Sequence, residues 1–233
     1  MSEQLPLPFE ILADQSFDSY YAGVNLAAVQ SLQSCANGEG EGFILLCGSP
    51  GLGKTHLLQA CCNLAHKKRR PSTYLHSQTL LTQGSKCLQM LDAVDLVCID
   101  DLHIIAENTT LEQAFFHCFN RIRDNGKQLI ITTLTTAAHS NIALPDLRTR
   151  LASGLTIKLH APSDEDKLET LKLGALQLGF ELTPQVGQYI LTHYPRDVAS
   201  LWRALKQFDQ ATLSAKKKLT IPFIKHYMES MER

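Results

Sequence analysis

Five short strand-like segments punctuate the first two-thirds of the chain. Phe43-Ile-Leu-Leu-Cys47 is a continuous apolar run rather than an alternating one, the pattern of a strand buried on both faces. Further strands are expected at Thr73–His76, Asp95–Ile99, Gln128–Thr132 and Leu155–Leu159, with helical stretches between them. One helix is expected from about Lys54 to His66, with an apolar stripe of Leu57, Leu58, Cys61, Leu64 and Ala65. Lys67-Lys68-Arg69-Arg70 then place cations at its C-terminal end, and Pro71 stops it. Another begins at Thr109-x-x-Glu112, a capping-box pattern, and ends before Gly126. The alternation predicts an α/β fold with a parallel, five-stranded sheet and helices on both faces.

After Pro162 the strand signals cease. Ser163–Leu178, Thr183–His193, Asp197–Leu213 and Thr220–Met231 all read as helices, with Ser163, Thr183 and Thr220 as N-caps and Gly179 as a stop. The expected division is a tail over 1–15, an α/β domain over 16–160 and a small all-helical domain over 161–233. Within the tail, Gln4-Leu-Pro-Leu-Pro-Phe9 cannot join a helix interior or a central strand, because Pro6 and Pro8 lack N–H groups. It is too apolar to be an idle leader. It either docks on another protein, packs on its own domain or stays loose.

Composition narrows the function classes. With 233 residues, 44% hydrophobic, the chain is long enough for a substantial core. A net charge of −1 argues against a strongly basic nucleic-acid binder. No apolar run approaches the roughly 20 residues of a membrane helix, and no signal peptide is visible. The seven cysteines fall at scattered apolar positions without a C-x-x-C pair, and the nine histidines show no zinc spacing. Buried, reduced thiols in a cytoplasmic protein are the expectation.

The chemistry concentrates in three motifs. Gly48-Ser-Pro-Gly-Leu-Gly-Lys-Thr55 fits G-x-x-x-x-G-K-[ST], after a buried strand and before a helix. Its glycines let backbone N–H groups wrap a phosphate chain, at the positive end of a helix dipole. Lys54 can reach the β- and γ-phosphates and the Thr55 hydroxyl can bind Mg²⁺. Asp95-Leu-Val-Cys-Ile-Asp-Asp101 is a buried strand ending in two carboxylates. Asp100 would hold Mg²⁺ directly or through water, and Asp101 would orient or deprotonate an attacking water. Third, Arg148 and Arg150 lie in Leu144–Gly154 before the last strand. Either can reach a neighbouring subunit's γ-phosphate or simply face solvent.

Together these features resemble the AAA+ ATPases, and within them the replication initiator DnaA and its shortened regulatory relatives. Phe17–Asn25 (FDSYYAGVN) resembles the family segment that packs on adenine. Gly48–Ala60 and Leu96–Ala106 are similar to its Walker A and Walker B units, and Leu144–Leu159 to the box that carries an arginine finger, which Arg150 fits. The resemblance implies nucleotide binding, as ADP or ATP with Mg²⁺, by Gly48, Pro50, Gly51, Leu52, Gly53, Lys54, Thr55, His56, Phe17 and Tyr21, with Arg196 from the helical lid. Thr55 and Asp100 hold the metal, and Asp101 and Arg150 are the catalytic pair, the latter in trans. It also implies that Gln4, Leu5, Leu7 and Phe9 form the Q-L-x-L-P-[LF] peptide that docks on the replicative sliding clamp. The chain ends after the lid, with no helix-turn-helix, so DNA is expected only indirectly through the clamp.

The implied role is a regulator that stimulates hydrolysis by DnaA and prevents re-initiation, with weak intrinsic ATPase activity of its own, and that forms homo-oligomers. The alternatives are an autonomous AAA+ ATPase and an initiator or helicase-loader factor. Two departures from the family pattern bear on turnover. Leu134 replaces a polar residue after the fourth strand, and Ala199 stands where the lid arginine is expected, leaving Arg196 one turn earlier.

Overall fold

The computed structural model describes residues 15–231; the peptide Gln4–Phe9 lies outside them. The described residues form two units. The first takes 15–17, 25–50 and 54–160, and the second takes 18–24, 51–53 and 161–231.

The first unit is built on five parallel strands: β1 (Phe43–Cys47), β2 (Ser72–His76), β3 (Leu96–Asp100), β4 (Gln128–Thr133) and β5 (Leu155–Lys158), in the order β2-β3-β4-β1-β5. Because strand side chains alternate, the continuous apolar runs feed two cores at once. Phe43 and Leu45 of β1, Val97 and Ile99 of β3, and Leu129 and Ile131 of β4 share one cluster with Phe115, Phe119 and Leu147. The last three come from α4 (Thr109–Asp124) and α5 (Pro145–Ala152). Phe43 meets Phe119 edge-on, with centroids 5.0 Å apart. Ile44, Leu46, Cys98 and Ile130 are the alternate, equally buried residues. α2 (Lys54–Lys67) packs against β2, β3 and β4, and α1 (Leu26–Asn37) packs on α2. A short α3 (Gln78–Gln83) follows β2. All seven cysteines are buried and none forms a disulfide, and burial pushes the Cys35 thiol up to about 12.

The second unit adds α6 (Asp164–Gln177), α7 (Pro184–His193), α8 (Val198–Ala215) and α9 (Ile221–Met231). The three expected hydroxyl caps are present: Ser163 accepts from Asp166 N, Thr183 from Val186 N and Thr220 from Phe223 N. Gly179 takes the left-handed conformation that ends α6, with φ +87°. Leu171, Val186, Ile190, Leu205, Phe208 and Ile224 fill the core. Gly187 lets α7 approach α6 closely, since a Cβ there would lie 2.4 Å from Leu168 Cδ1.

Two sequence expectations are corrected. Asn108, not Thr109, caps α4: its backbone is extended and its side chain accepts from Leu111 N at 3.2 Å. Glu112 is therefore one position too late for a capping box. Its carboxylate, with no exposed surface, instead accepts from Glu107 N (2.8 Å), Ala143 N (3.0 Å) and Leu144 N (2.7 Å). The basic run after α2 is likewise more than a dipole partner. Arg70 donates to the Ala36 carbonyl at 2.6 Å, at the end of α1, and to Gln128 Oε1 at 2.6 Å at the start of β4.

Glu112→Ala leaves three backbone donors without their acceptor. We expect a loss of roughly 3 kcal/mol in urea unfolding, with Glu112→Gln, which keeps one carbonyl oxygen, falling between that variant and wild type.

Candidate nucleotide and metal site

The segment 48–53 leads from β1 into α2. Gly51 and Gly53 have φ of +80° and +81°, a region that penalises a side chain. A Cβ on Gly53 would lie 2.7 Å from the Tyr20 ring, and the Tyr20 hydroxyl donates to the Leu52 carbonyl at 3.2 Å. Tyr20 thus lies against the loop. The sequence motif singled out its neighbours: Phe17 opens a 3-10 turn over Phe17–Ser19, and Tyr21 is 37% exposed. Nothing in the local pattern distinguishes Tyr20 from Tyr21.

Lys54 is buried and its ammonium donates to the carbonyls of Gly48 (2.7 Å) and Ser49 (3.1 Å). Desolvation lowers its pKa, while Asp101 and Asp100 act the other way. These loop carbonyls hold the cation beside backbone N–H groups, an arrangement suited to an anion. Pro50 is exposed on the loop. His56 Nε2 donates to the Ser16 carbonyl at 2.8 Å, and Asn63 Nδ2 donates to the Gln15 carbonyl at 2.6 Å. Both side chains of α2 hold the backbone just before Phe17.

Asp100, at the end of β3, has no exposed surface. Its Oδ2 accepts from the Thr55 hydroxyl at 2.7 Å and the Tyr74 hydroxyl at 2.8 Å, and its Oδ1 accepts from the Thr132 hydroxyl. Thr132 in turn accepts from Asp101 N at 2.7 Å. Burial and the nearby Asp100 charge raise the Tyr74 pKa far above the ordinary phenol value, so its hydroxyl is a permanent donor. Asp101 follows in the left-handed region, φ 53° and ψ 50°. Its carboxylate lies 3.6 Å from His76 Nε2 and 3.8 Å from His103 Nδ1. Sequence reading identified the two acids and Thr55 but passed over Tyr74, Thr132 as a bridge, and both histidines.

The donor set fits a hard divalent cation such as Mg²⁺. Thr55 gives its proton to Asp100, which leaves its oxygen lone pairs for a metal. His76, Asp100 and Asp101 each bring one ligand atom within 4.8 Å of the others. However, His76 Nδ1 accepts from Gln78 N at 3.1 Å, so Nε2 carries the proton and is not free to ligate.

The arginines lie apart from this cluster in their local bonding. Arg148 and Arg150 are exposed on α5, and no hydrogen bond or ion pair holds either guanidinium among the described residues. Arg196 donates to Asp164 at 3.1 Å within the helical unit. Leu134, just after β4, is 38% exposed.

Against this geometry, the profile described as "Bacterial DnaA ATPAse domain" matches residues 12–158. The chain belongs to the bacterial DnaA ATPase family. Residues 164–228 match the profile described as "Hda, lid domain", which makes it an Hda-like, DnaA-related AAA+ protein. An uncharacterized protein of Haemophilus influenzae is 34% identical over 226 residues, covering 97% of this chain and 98% of that relative. Among solved structures, domain III of the Thermotoga maritima initiation protein DnaA superposes with a TM-score of 0.81 at 23% identity, over 93% of this chain and 95% of that one. DnaA from Aquifex aeolicus, bound to AMPPCP, gives a TM-score of 0.71 at 20% identity, over 84% of this chain and 65% of that one. The fold is therefore that of a AAA+ nucleotide-binding core carrying a helical lid, in a family of DNA-replication proteins. No helix among the described residues is long and apolar enough to cross a membrane.

Gly53→Ala puts a Cβ into both a disfavoured φ and the Tyr20 ring. We expect a loss of roughly 1–2 kcal/mol in urea unfolding, the size of the left-handed penalty alone.

Proposed function

We propose that the protein regulates replication initiation: held in a nucleotide-bound state, it docks on the sliding clamp and stimulates ATP hydrolysis by DnaA. The observation that carries this reading is the union, in one chain, of a DnaA-type ATPase core over 12–158 with an Hda-type lid over 164–228. Gln4, Leu5, Leu7 and Phe9 supply the clamp contact. An extended peptide stiffened by Pro6 and Pro8 loses little entropy on docking, and its apolar side chains fill pockets while the Gln4 amide bonds at a rim. Two copies on an oligomer raise the avidity.

In the protein's own pocket, the loop N–H groups and Lys54 bind phosphates, Thr55 and Asp100 hold Mg²⁺, and Phe17, Tyr21 and His56 belong to the nucleotide's surroundings. Bound Mg²⁺ would neutralise phosphate charge. Asp101 orients a water, but an apolar Leu134 after β4 and an Arg196 bonded to Asp164 weaken the groups that sense a γ-phosphate. The pocket then serves as a switch, holding ADP or ATP with slow turnover. Arg150 is exposed, its permanently charged planar fork has no partner among the described residues, and it completes the site of a neighbouring DnaA. An autonomous ATPase is the second reading, favoured by the intact Lys54, Thr55, Asp100 and Asp101 arrangement; rapid hydrolysis without any partner would select it. An initiator or helicase-loader role is a further member of that class.

The test mixes ATP-loaded DnaA with clamp-loaded DNA and measures phosphate release. Arg150→Ala should abolish stimulation, since a finger is worth on the order of 10³ in rate, while still binding clamp and nucleotide. Stimulation equal to wild type would remove Arg150 from this role. In a clamp pull-down, Gln4→Ala with Leu7→Ala should lose retention yet bind nucleotide normally; undiminished retention would overturn the clamp assignment.

A further inference from the structure

We propose that Tyr74 is a positioning residue for the metal-binding carboxylate Asp100. The inference rests on the reading that this pocket takes a nucleotide with Mg²⁺.

Tyr74 lies on β2, in register with Cys98 on β3, and is almost fully buried. Its hydroxyl has one proton, and that proton goes to Asp100 Oδ2 at 2.8 Å. The Thr55 hydroxyl, at the start of α2, donates to the same oxygen at 2.7 Å.

The consequence follows from lone pairs. An ionised carboxylate offers about four acceptor sites. Thr55 and Tyr74 fill those on Oδ2, and Thr132 fills one on Oδ1. Asp100 keeps a single open site. Its orientation is fixed by three donors on three different elements, and a cation meets it in that one orientation. Without Tyr74, Oδ2 loses a donor and the carboxylate is held by two threonines alone. Groups that orient a metal ligand in this way are worth about 10- to 100-fold in metal affinity.

The experiment titrates a fluorescent ADP analogue into wild type and Tyr74→Phe, first in excess EDTA and then in excess Mg²⁺. We expect both to share one affinity in EDTA. Mg²⁺ should tighten wild-type binding, and that tightening should be about tenfold smaller in Tyr74→Phe. Equal tightening in Tyr74→Phe and wild type would overturn the proposal while leaving the Mg²⁺ reading intact. Weakening of Tyr74→Phe by the same factor in EDTA and Mg²⁺ would also overturn it, as the mark of a purely structural tyrosine. If wild type binds the analogue but shows no response to Mg²⁺, or fails to bind it, the underlying reading falls and the proposal with it.

Discussion

A carboxylate without exposed surface is unfavourable by several kcal/mol unless hydrogen bonds replace its water. Asp100 is such a group, and the way it is satisfied organises the end of the sheet around it. Its three hydroxyl donors come from α2, β2 and β4. The strand order β2-β3-β4-β1-β5 makes this possible, because β2 and β4 flank β3 and deliver Tyr74 and Thr132 from either side. α2 follows β1, which lies beyond β4, and its first turn must come over β4 for Thr55 to reach the same carboxylate. One buried charge thus ties together the phosphate loop's helix and the three strands of the Walker B neighbourhood.

The same device recurs away from the site. Glu112 draws the backbone before α4 and the backbone before α5 onto one carboxylate, and Arg70 draws the end of α1 and the start of β4 onto one guanidinium. Asn25 does it with an amide, donating to the His160 carbonyl at 3.0 Å and accepting from His160 N at 2.8 Å. In each case a connection that lacks ladder hydrogen bonds receives them from a long polar side chain. The apolar strands set which elements are adjacent, while these few polar groups set how the loops between them are held.

What was legible in the sequence follows that division. The central strands β1, β3 and β4 read clearly because burial on both faces leaves long apolar stretches, whereas β5, mostly exposed, carries a shorter alternating signal. The phosphate loop reads clearly because its glycines, lysine and threonine must stand at fixed spacing along one segment. α1 was not anticipated: its buried face is Ala28, Val29, Leu32, Cys35 and Ala36, mostly small residues, and Asn25 before it gives its side chain to His160 rather than to a cap. Tyr74 could not be recognised at all, and Thr132 only as a hydroxyl near the site. Their meaning depends on the parallel register that sets Tyr74 beside Cys98 and Ile99 beside Ile131, a relation between segments far apart in the chain. Glu112 misled for the reverse reason, since a local pattern suggested a capping box and a distant backbone claimed the carboxylate.

The two acids of the site are also not independent of each other. Asp101 sits in the left-handed region, which a non-glycine residue adopts at a cost of order 1 kcal/mol or more and keeps only when its surroundings hold it there. Its backbone N–H reaches Thr132 Oγ1, and the proton of that hydroxyl goes to Asp100. The threonine is therefore donor to one aspartate and acceptor from the next. Loss of the hydroxyl would release the strained backbone of Asp101 and unbalance the buried charge of Asp100 in one step. Residues that share a network in this way do not contribute separable increments. The orientation of Asp101 between His76 and His103, and the single open acceptor of Asp100, are two results of one hydroxyl's placement at the end of β4. The polar residue missing at Leu134 is for that reason not simply replaced by the threonine two positions earlier: Thr132 is turned inward, committed to holding the acids, and has no proton left to offer a phosphate.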